Sequence, residues 1–122
     1  MHELSIALSI VDRATEEVER HPGALVSAVH LRVGALSGVV KEALLFSWEI
    51  ACQGSSVEGS RLVIEDVPVT ILCARCQKET ETHSLQAFSC STCGQFSSEV
   101  IRGRELEVVE LELEDVVETA AV

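Results

Sequence analysis

Apolar residues recur along the start of the chain at steps of three and four. Leu4, Ala7, Leu8, Val11, Ala14 and Val18 share one stripe, while Asp12, Arg13, Glu16, Glu17 and Glu19 mostly fall off it. That period predicts an amphipathic helix over roughly 4–20. The run HPG at 21–23 stops it. Val29, Leu31 and Val33 then alternate with His30 and Arg32, the two-residue period of a strand. GALSG at 34–38 turns the chain. Val40, Ala43, Leu44, Ser47 and Ile50 predict a second helix ending near Cys52 and QGSS. Leu62 and Ile64 open a second strand that runs on through VPVTIL at 67–72, with a phase shift between Ile64 and Val67 that predicts a bulge or bend. RELEVVELELEDVV at 104–117 alternates apolar and acidic residues and predicts a third strand, its phase slipping at Val108–Val109.

Residues 73–98 break this pattern. They are rich in Ser, Thr, Gln and Cys, hold few aliphatics, and contain CARC and CSTC. The expected fold is therefore α+β: two helices packed on a three-stranded sheet, with a small zinc-ribbon module inserted between the second and third strands. The expected domains are an α/β part, 1–72 and 99–122, and a metal module, 73–98.

Charge narrows the function classes. The 122 residues carry 9 Lys and Arg against 20 Asp and Glu, for a net charge of −11. Nucleic acid and anionic membrane surfaces are both disfavoured by that balance. Basic proteins and metal cations are the favoured partners. No targeting segment is expected, because Glu3, Asp12, Glu16 and Glu17 interrupt the apolar residues. No run approaches the length of a membrane span. The expected compartment is the cytoplasm, where thiols stay reduced. A chain this short buries only about two thirds of its surface, so a metal staple or a partner would help it.

The five cysteines then carry the clearest chemistry. Cys73 and Cys76 form one C-x2-C pair, and Cys90 and Cys93 form another, with thirteen residues between them. Two such pairs can place four thiolates around one tetrahedral zinc, with Zn–S near 2.3 Å. Two disulfides or a redox C-x-x-C are the alternatives; the compartment disfavours the first, and the doubling of the motif disfavours the second. Gly94 suits the positive φ needed just past a knuckle. Four sulfurs would close the coordination sphere, so such a zinc is structural rather than catalytic. Only Arg75 and Lys78 lie within the module as basic residues, and Phe88 and Phe96 are expected under the knuckles rather than exposed for base stacking. Cys52 reads as a core residue, as do Phe46 and Trp48.

His21, His30 and His83 read as solvated or locally bonded imidazoles, with His83 the exception to watch because it lies between the zinc pairs. No nucleophile triad, phosphate loop or dinucleotide fingerprint is present, so no enzymatic activity is expected. His2 stands apart. An α-amine, a deprotonated amide and an imidazole together suit the square-planar nitrogen geometry of Ni(II) or Cu(II), although a histidine there can equally be an exposed terminal residue.

The order of motifs resembles one known family. MHELSIA at 1–7, GALSGV at 34–39, EGSRLVIE at 58–65 and the two C-x2-C pairs are similar to those of the hydrogenase nickel-incorporation proteins of the HypA/HybF family. The resemblance implies a nickel metallochaperone serving NiFe-hydrogenase, with Ni²⁺ as cargo and a separate structural Zn²⁺. It implies nickel ligation by Met1 through its amine, His2 through imidazole and amide, and Glu3 through its amide. It implies zinc ligation by Cys73, Cys76, Cys90 and Cys93. The implied partners are a HypB-type GTPase and the hydrogenase large subunit, with the chain itself a monomer or weak homodimer. The alternative is a zinc-ribbon adaptor between proteins, without a nickel function. Family members often carry Asp or Glu near the start of the second helix, where it can reach the nickel. Here Val39–Val40 hold that place, and Glu42, two residues on, lies about 200° round the helix. A side-chain carboxylate is therefore not counted in the ligand set.

Overall fold

The computed structural model describes residues 2–82, 88–97 and 99–115. Within these, helix α1 spans Glu3–Val18 and α2 spans Lys41–Cys52. Strands β1 (Ala24–Gly34), β2 (Arg61–Val67) and β6 (Leu106–Asp115) form one sheet in the order β2-β1-β6. Strands β3 (Val69–Cys73), β4 (Lys78–Thr82) and β5 (Val100–Arg102) form a second, in the order β4-β3-β5. The α+β class is as expected, with the cysteine-bearing segment between β2 and β6.

The expected second strand is two strands. The chain leaves β2 at Val67 and enters the other sheet at Val69, with Pro68 between them. Proline has no N–H to give a ladder, so a strand cannot run through it unbroken in a sheet interior. The phase shift seen in the sequence marks this change of sheet.

By internal contacts the chain forms two compact units: 1–31, 39–64 and 108–122; and 32–38 with 65–107. In the first, α1 packs against α2. α1 stops at Val18, and the turn that follows is closed by His21 N–H donating to the Val18 carbonyl and by Gly23 at φ 85°. Its buried face is Ile6, Ala7, Ile10, Val11 and Ala14, while the expected Leu4 and Leu8 are 41% and 47% exposed. Both sets obey helical spacing, so periodicity alone could not choose between them. On α2 the buried set is Leu44, Trp48, Ala51 and Cys52. Trp48 is core as expected, its indole N–H donating to the Ser60 carbonyl at 3.1 Å. Phe46 is not: it is 73% exposed. Two residues turn a helix by about 200°, so neighbouring aromatics at 46 and 48 cannot share a buried face. Val57, between α2 and β2, is fully buried.

These placements predict a contrast. Leu44→Ala is expected to destabilise by about 2–5 kcal/mol through the cavity it leaves. Phe46→Ala is expected to change stability by under about 0.5 kcal/mol. Urea unfolding of both variants measures the difference, and equal losses would contradict the burial described.

In the second unit Arg32 of β1 reaches Glu65 of β2 at 2.6 Å and Glu107 of β6 at 3.5 Å. The two carboxylates, Glu65 foremost, raise its pKa further. The pairs are solvent-exposed and add only modestly to stability. The tighter constraint is backbone. Gly34 N–H donates to the Glu105 carbonyl at 2.7 Å, Leu36 N–H to Gly103 at 2.6 Å, and Ala35 N–H to Val67 at 2.9 Å. The GALSG run is thus threaded between the end of β2 and the start of β6.

Candidate metal centre

Each cysteine pair sits at the tip of a tight turn. β3 and β4 pair antiparallel from Val69↔Thr82 to Cys73↔Lys78, so the first pair occupies the hairpin turn itself. Gln77 N–H donates to the Cys73 carbonyl at 2.7 Å, and Cys76 N–H to Cys73 Sγ at 3.4 Å. The second turn repeats this geometry. Gly94 N–H donates to the Cys90 carbonyl at 2.8 Å, and Thr92 N–H to Cys90 Sγ at 3.4 Å. Its flanks are tied by the Ser89↔Phe96 bridge and by Cys90 N–H to the Gln95 carbonyl at 2.8 Å. Each turn has a left-handed residue just past its second cysteine. Gly94 supplies it at φ 78°, and Gln77 does so at φ 52°.

Two further bonds hold the second turn to β3. Ser97 Oγ donates to the Leu72 carbonyl at 2.7 Å, and Leu72 N–H donates to Glu99 at 3.0 Å. The Thr80 and Ser91 hydroxyls also bond to each other across the turns.

The four sulfurs converge. All lie within 4.8 Å of one another, with Cys73 and Cys90 buried and Cys76 and Cys93 half-buried. Cys73 Sγ lies 3.6 Å from Cys93 Sγ, and Cys90 Sγ lies 3.9 Å from Cys76 Sγ. A tetrahedron with metal–sulfur bonds of 2.3 Å has sulfur–sulfur edges of about 3.8 Å, so the donor set fits one tetrahedral ion. All four are free thiols, and so is Cys52. The local field already favours thiolate at one of them. Backbone N–H groups of Cys93 and Thr92 bring the Cys90 thiol down to about 6. Cys76 is pushed up to about 12, first by its contact with Cys93. Crowded thiols cannot all ionise without a cation between them. Cys52 lies elsewhere, 2% exposed at the end of α2, with its thiol raised chiefly by burial.

Phe96 is not packed under a knuckle. It is 72% exposed, and Phe88 is half-buried. The turns are closed by backbone bonds to sulfur and carbonyl, which need no aromatic beneath them. His83 lies outside the described residues.

The N-terminal candidates are described from His2 onward, and Met1 lies outside. His2 is exposed and extended, at φ −91° and ψ 127°, and caps α1 by position only: its imidazole makes no capping bond. Its carbonyl accepts from Ile6 N–H at 3.2 Å. Glu3 opens the helix, where a carboxylate suits the positive end of the dipole. Its Oε2 accepts from Val40 N–H, at the start of α2, at 3.3 Å. Val40 thus meets Glu3 through its backbone. That contact had no signal in the sequence, because it depends on how α1 and α2 pack. Glu42 is exposed.

The other histidines take local roles. His21 lies 3.7 Å from Glu17 at the end of α1. His30 is more buried than a strand's polar face suggests, and its Nε2 lies 3.3 Å from Glu112 Oε1.

A protein-family model described as hydrogenase/urease nickel incorporation, metallochaperone, hypA matches residues 1–113. The hydrogenase maturation factor HypA of Roseiflexus sp. (strain RS-1) is 44% identical over 115 residues, covering 94% of this chain and 94% of its own. The factor of the same name from Chloroflexus aggregans is 46% identical over 112 residues, covering 92% and 98%. The solution structure of the Ni metallochaperone HypA from Helicobacter pylori shares the fold, with a TM-score of 0.66 at 22% identity over 95% of this chain and 100% of that one.

Proposed function

Because this chain belongs to the HypA family of hydrogenase/urease nickel-incorporation metallochaperones, we propose that it binds Ni(II) at its first residues and hands it on during NiFe-hydrogenase maturation. The cargo is held by the Met1 amine, the His2 amide and imidazole, and the Glu3 amide. A HypB-type GTPase and the hydrogenase large subunit receive or assist it, in the cytoplasm. The family is one of maturation factors, and the role proposed is carriage, not catalysis.

One observation carries this reading. The first helical hydrogen bond is donated by Ile6 N–H, so the Glu3 N–H has no acceptor within α1. The His2 imidazole is likewise not spent on capping. Deprotonating these amides onto nickel therefore breaks no helical bond. The carboxylate of Glu3, engaged with Val40, steadies the segment without entering the ligand set.

Cys73, Cys76, Cys90 and Cys93 would hold Zn²⁺ in a closed sphere. When bound, it supplies cross-linking and no open position for water. The two roles are thus separate: one site structural and saturated, the other terminal and exchangeable.

Nickel titration of zinc-loaded protein, with free and acetylated α-amine, tests the reading at two pH values. Acetylation removes the amine's lone pair and little else. The acetylated form is expected to bind nickel far more weakly and to keep its zinc. His2→Ala is expected to do the same. Affinity of the free-amine form should fall below neutral pH, because amine, amide and imidazole must shed protons to ligate. Equal affinities for both forms would move the site elsewhere. No saturable uptake by either would favour a metal-ribbon adaptor.

A further inference from the structure

β6 lies at the edge of its sheet, with only β1 beside it among the described residues. An edge strand offers a row of backbone N–H and C=O groups to any extended chain that approaches. The acidic residues of β6, Glu107, Glu110, Glu112 and Glu114, blunt this edge toward neutral and anionic strands and leave it open to a cationic one. A groove of about 370 Å³ lies between α1 and β6, its walls including Arg13, Glu17 and His21 on the helix side and Val109, Glu110, Leu111 and Leu113 of β6. Val109 is 44% and Leu113 36% exposed.

Side chains alternate along a strand. Val109, Leu111 and Leu113 therefore alternate with Glu110, Glu112 and Glu114, of which Glu110 also reaches the groove wall. Glu112 is engaged already, with Arg61 at 3.2 Å and His30 at 3.3 Å. Glu110 and Glu114 are exposed and make no ion pair among the described residues. The groove wall sets Arg13 and His21 beside Glu17 and Glu110.

We propose that β6 takes up an added strand from a partner protein, an extended segment in which apolar residues alternate with Lys or Arg. Its apolar residues would enter the groove beside Val109, Leu111 and Leu113. Its cations would lie against Glu110 and Glu114. Backbone bonds would give affinity, and the alternation would give specificity. A second copy of this chain does not fit. Pairing β6 with itself either sets Glu against Glu or, one residue out of register, sets Glu among leucines. The net charge of −11 on each copy adds to the repulsion. The inference is independent of the nickel site.

The test uses zinc-loaded full-length protein and a fluorescent peptide of alternating valine and lysine. A peptide of the same composition with a central proline is the control, because proline cannot complete the ladder. Binding of the alternating peptide alone is expected, with slowed amide exchange confined to Val108–Glu114. Glu110→Lys with Glu114→Lys reverses the charge offered to the peptide, Glu110 at the groove wall and Glu114 away from it, and is expected to weaken that binding by about tenfold or more. Equal binding of both peptides, absence of binding, or protection outside β6 would overturn the proposal. So would concentration-dependent self-association with protection of β6 in the absence of peptide. Should the double variant fold poorly, the proline control and the exchange map decide the question on the unaltered protein.

Discussion

Cys90→Ser is expected to release the metal from the module and to strip amide protection from Val69–Thr82 and 88–97, while α1 keeps its helical signal. The turns around Cys73 and Cys90 bury little apolar surface and are held by short backbone bonds and by the four sulfurs. A structural zinc contributes on the order of 10 kcal/mol to such a module. Serine is a poor fourth ligand, and the sulfur it replaces is the one that Thr92 and Cys93 N–H groups predispose to thiolate. Chelation of the unaltered protein should reproduce the effect, and acid should too, since each thiol must lose a proton to ligate. Hydrogen exchange by mass spectrometry, with metal analysis on the same sample, gives the answer. Unchanged protection in the metal-free variant would show that the sulfurs do not stabilise the fold.

Gly34→Ala is expected to destabilise by about 2–4 kcal/mol, although it removes no side chain. A Cβ there would lie 2.1 Å from the Gly103 carbonyl oxygen and 2.6 Å from the Arg104 nitrogen. Both are backbone atoms, so no side chain can swing aside. Three hydrogen bonds of the 34–36 segment would have to yield together. Gly38→Ala is the comparison. It sits at φ 80° with nothing within 4 Å of the added carbon. Its cost is the left-handed conformation alone, about 1–2 kcal/mol. Urea midpoints for the two variants separate the mechanisms. A loss at Gly34 no larger than at Gly38 would mean that the strands around Gly103 can open.

The metal centre was legible in the spacing of its ligands. Two C-x2-C pairs allow few arrangements, and four sulfurs need only to converge. The helices were legible as elements but not as faces. Leu4 and Leu8 keep the period of α1 as well as Ile6 and Ile10 do, and the pattern does not say which stripe meets α2. Phe46 shows the limit of composition: aromatic character argues for burial, whereas its helical angle from Trp48 argues against it, and the angle prevailed. The change of sheet at Pro68 was half visible, as a phase shift read as a bend. What decided between bend and break was pairing with β4 and β5, a non-local matter. Glu3 meeting Val40 was invisible for the same reason.

Val69 and Gly103, where the chain enters and leaves the second sheet, come together: a Cβ on Gly103 would touch Val69 Cα at 3.0 Å. If the metal is lost, the intervening residues become a loop whose ends are already joined. Closing a flexible loop of about 30 residues costs only about 3 kcal/mol of chain entropy, and lengthening it changes that figure slowly. Metal exchange at the cysteines therefore places little demand on the strands at the loop's base. The same geometry makes this segment a natural point of insertion, where a module of another length could be substituted while the two ends stay where they are.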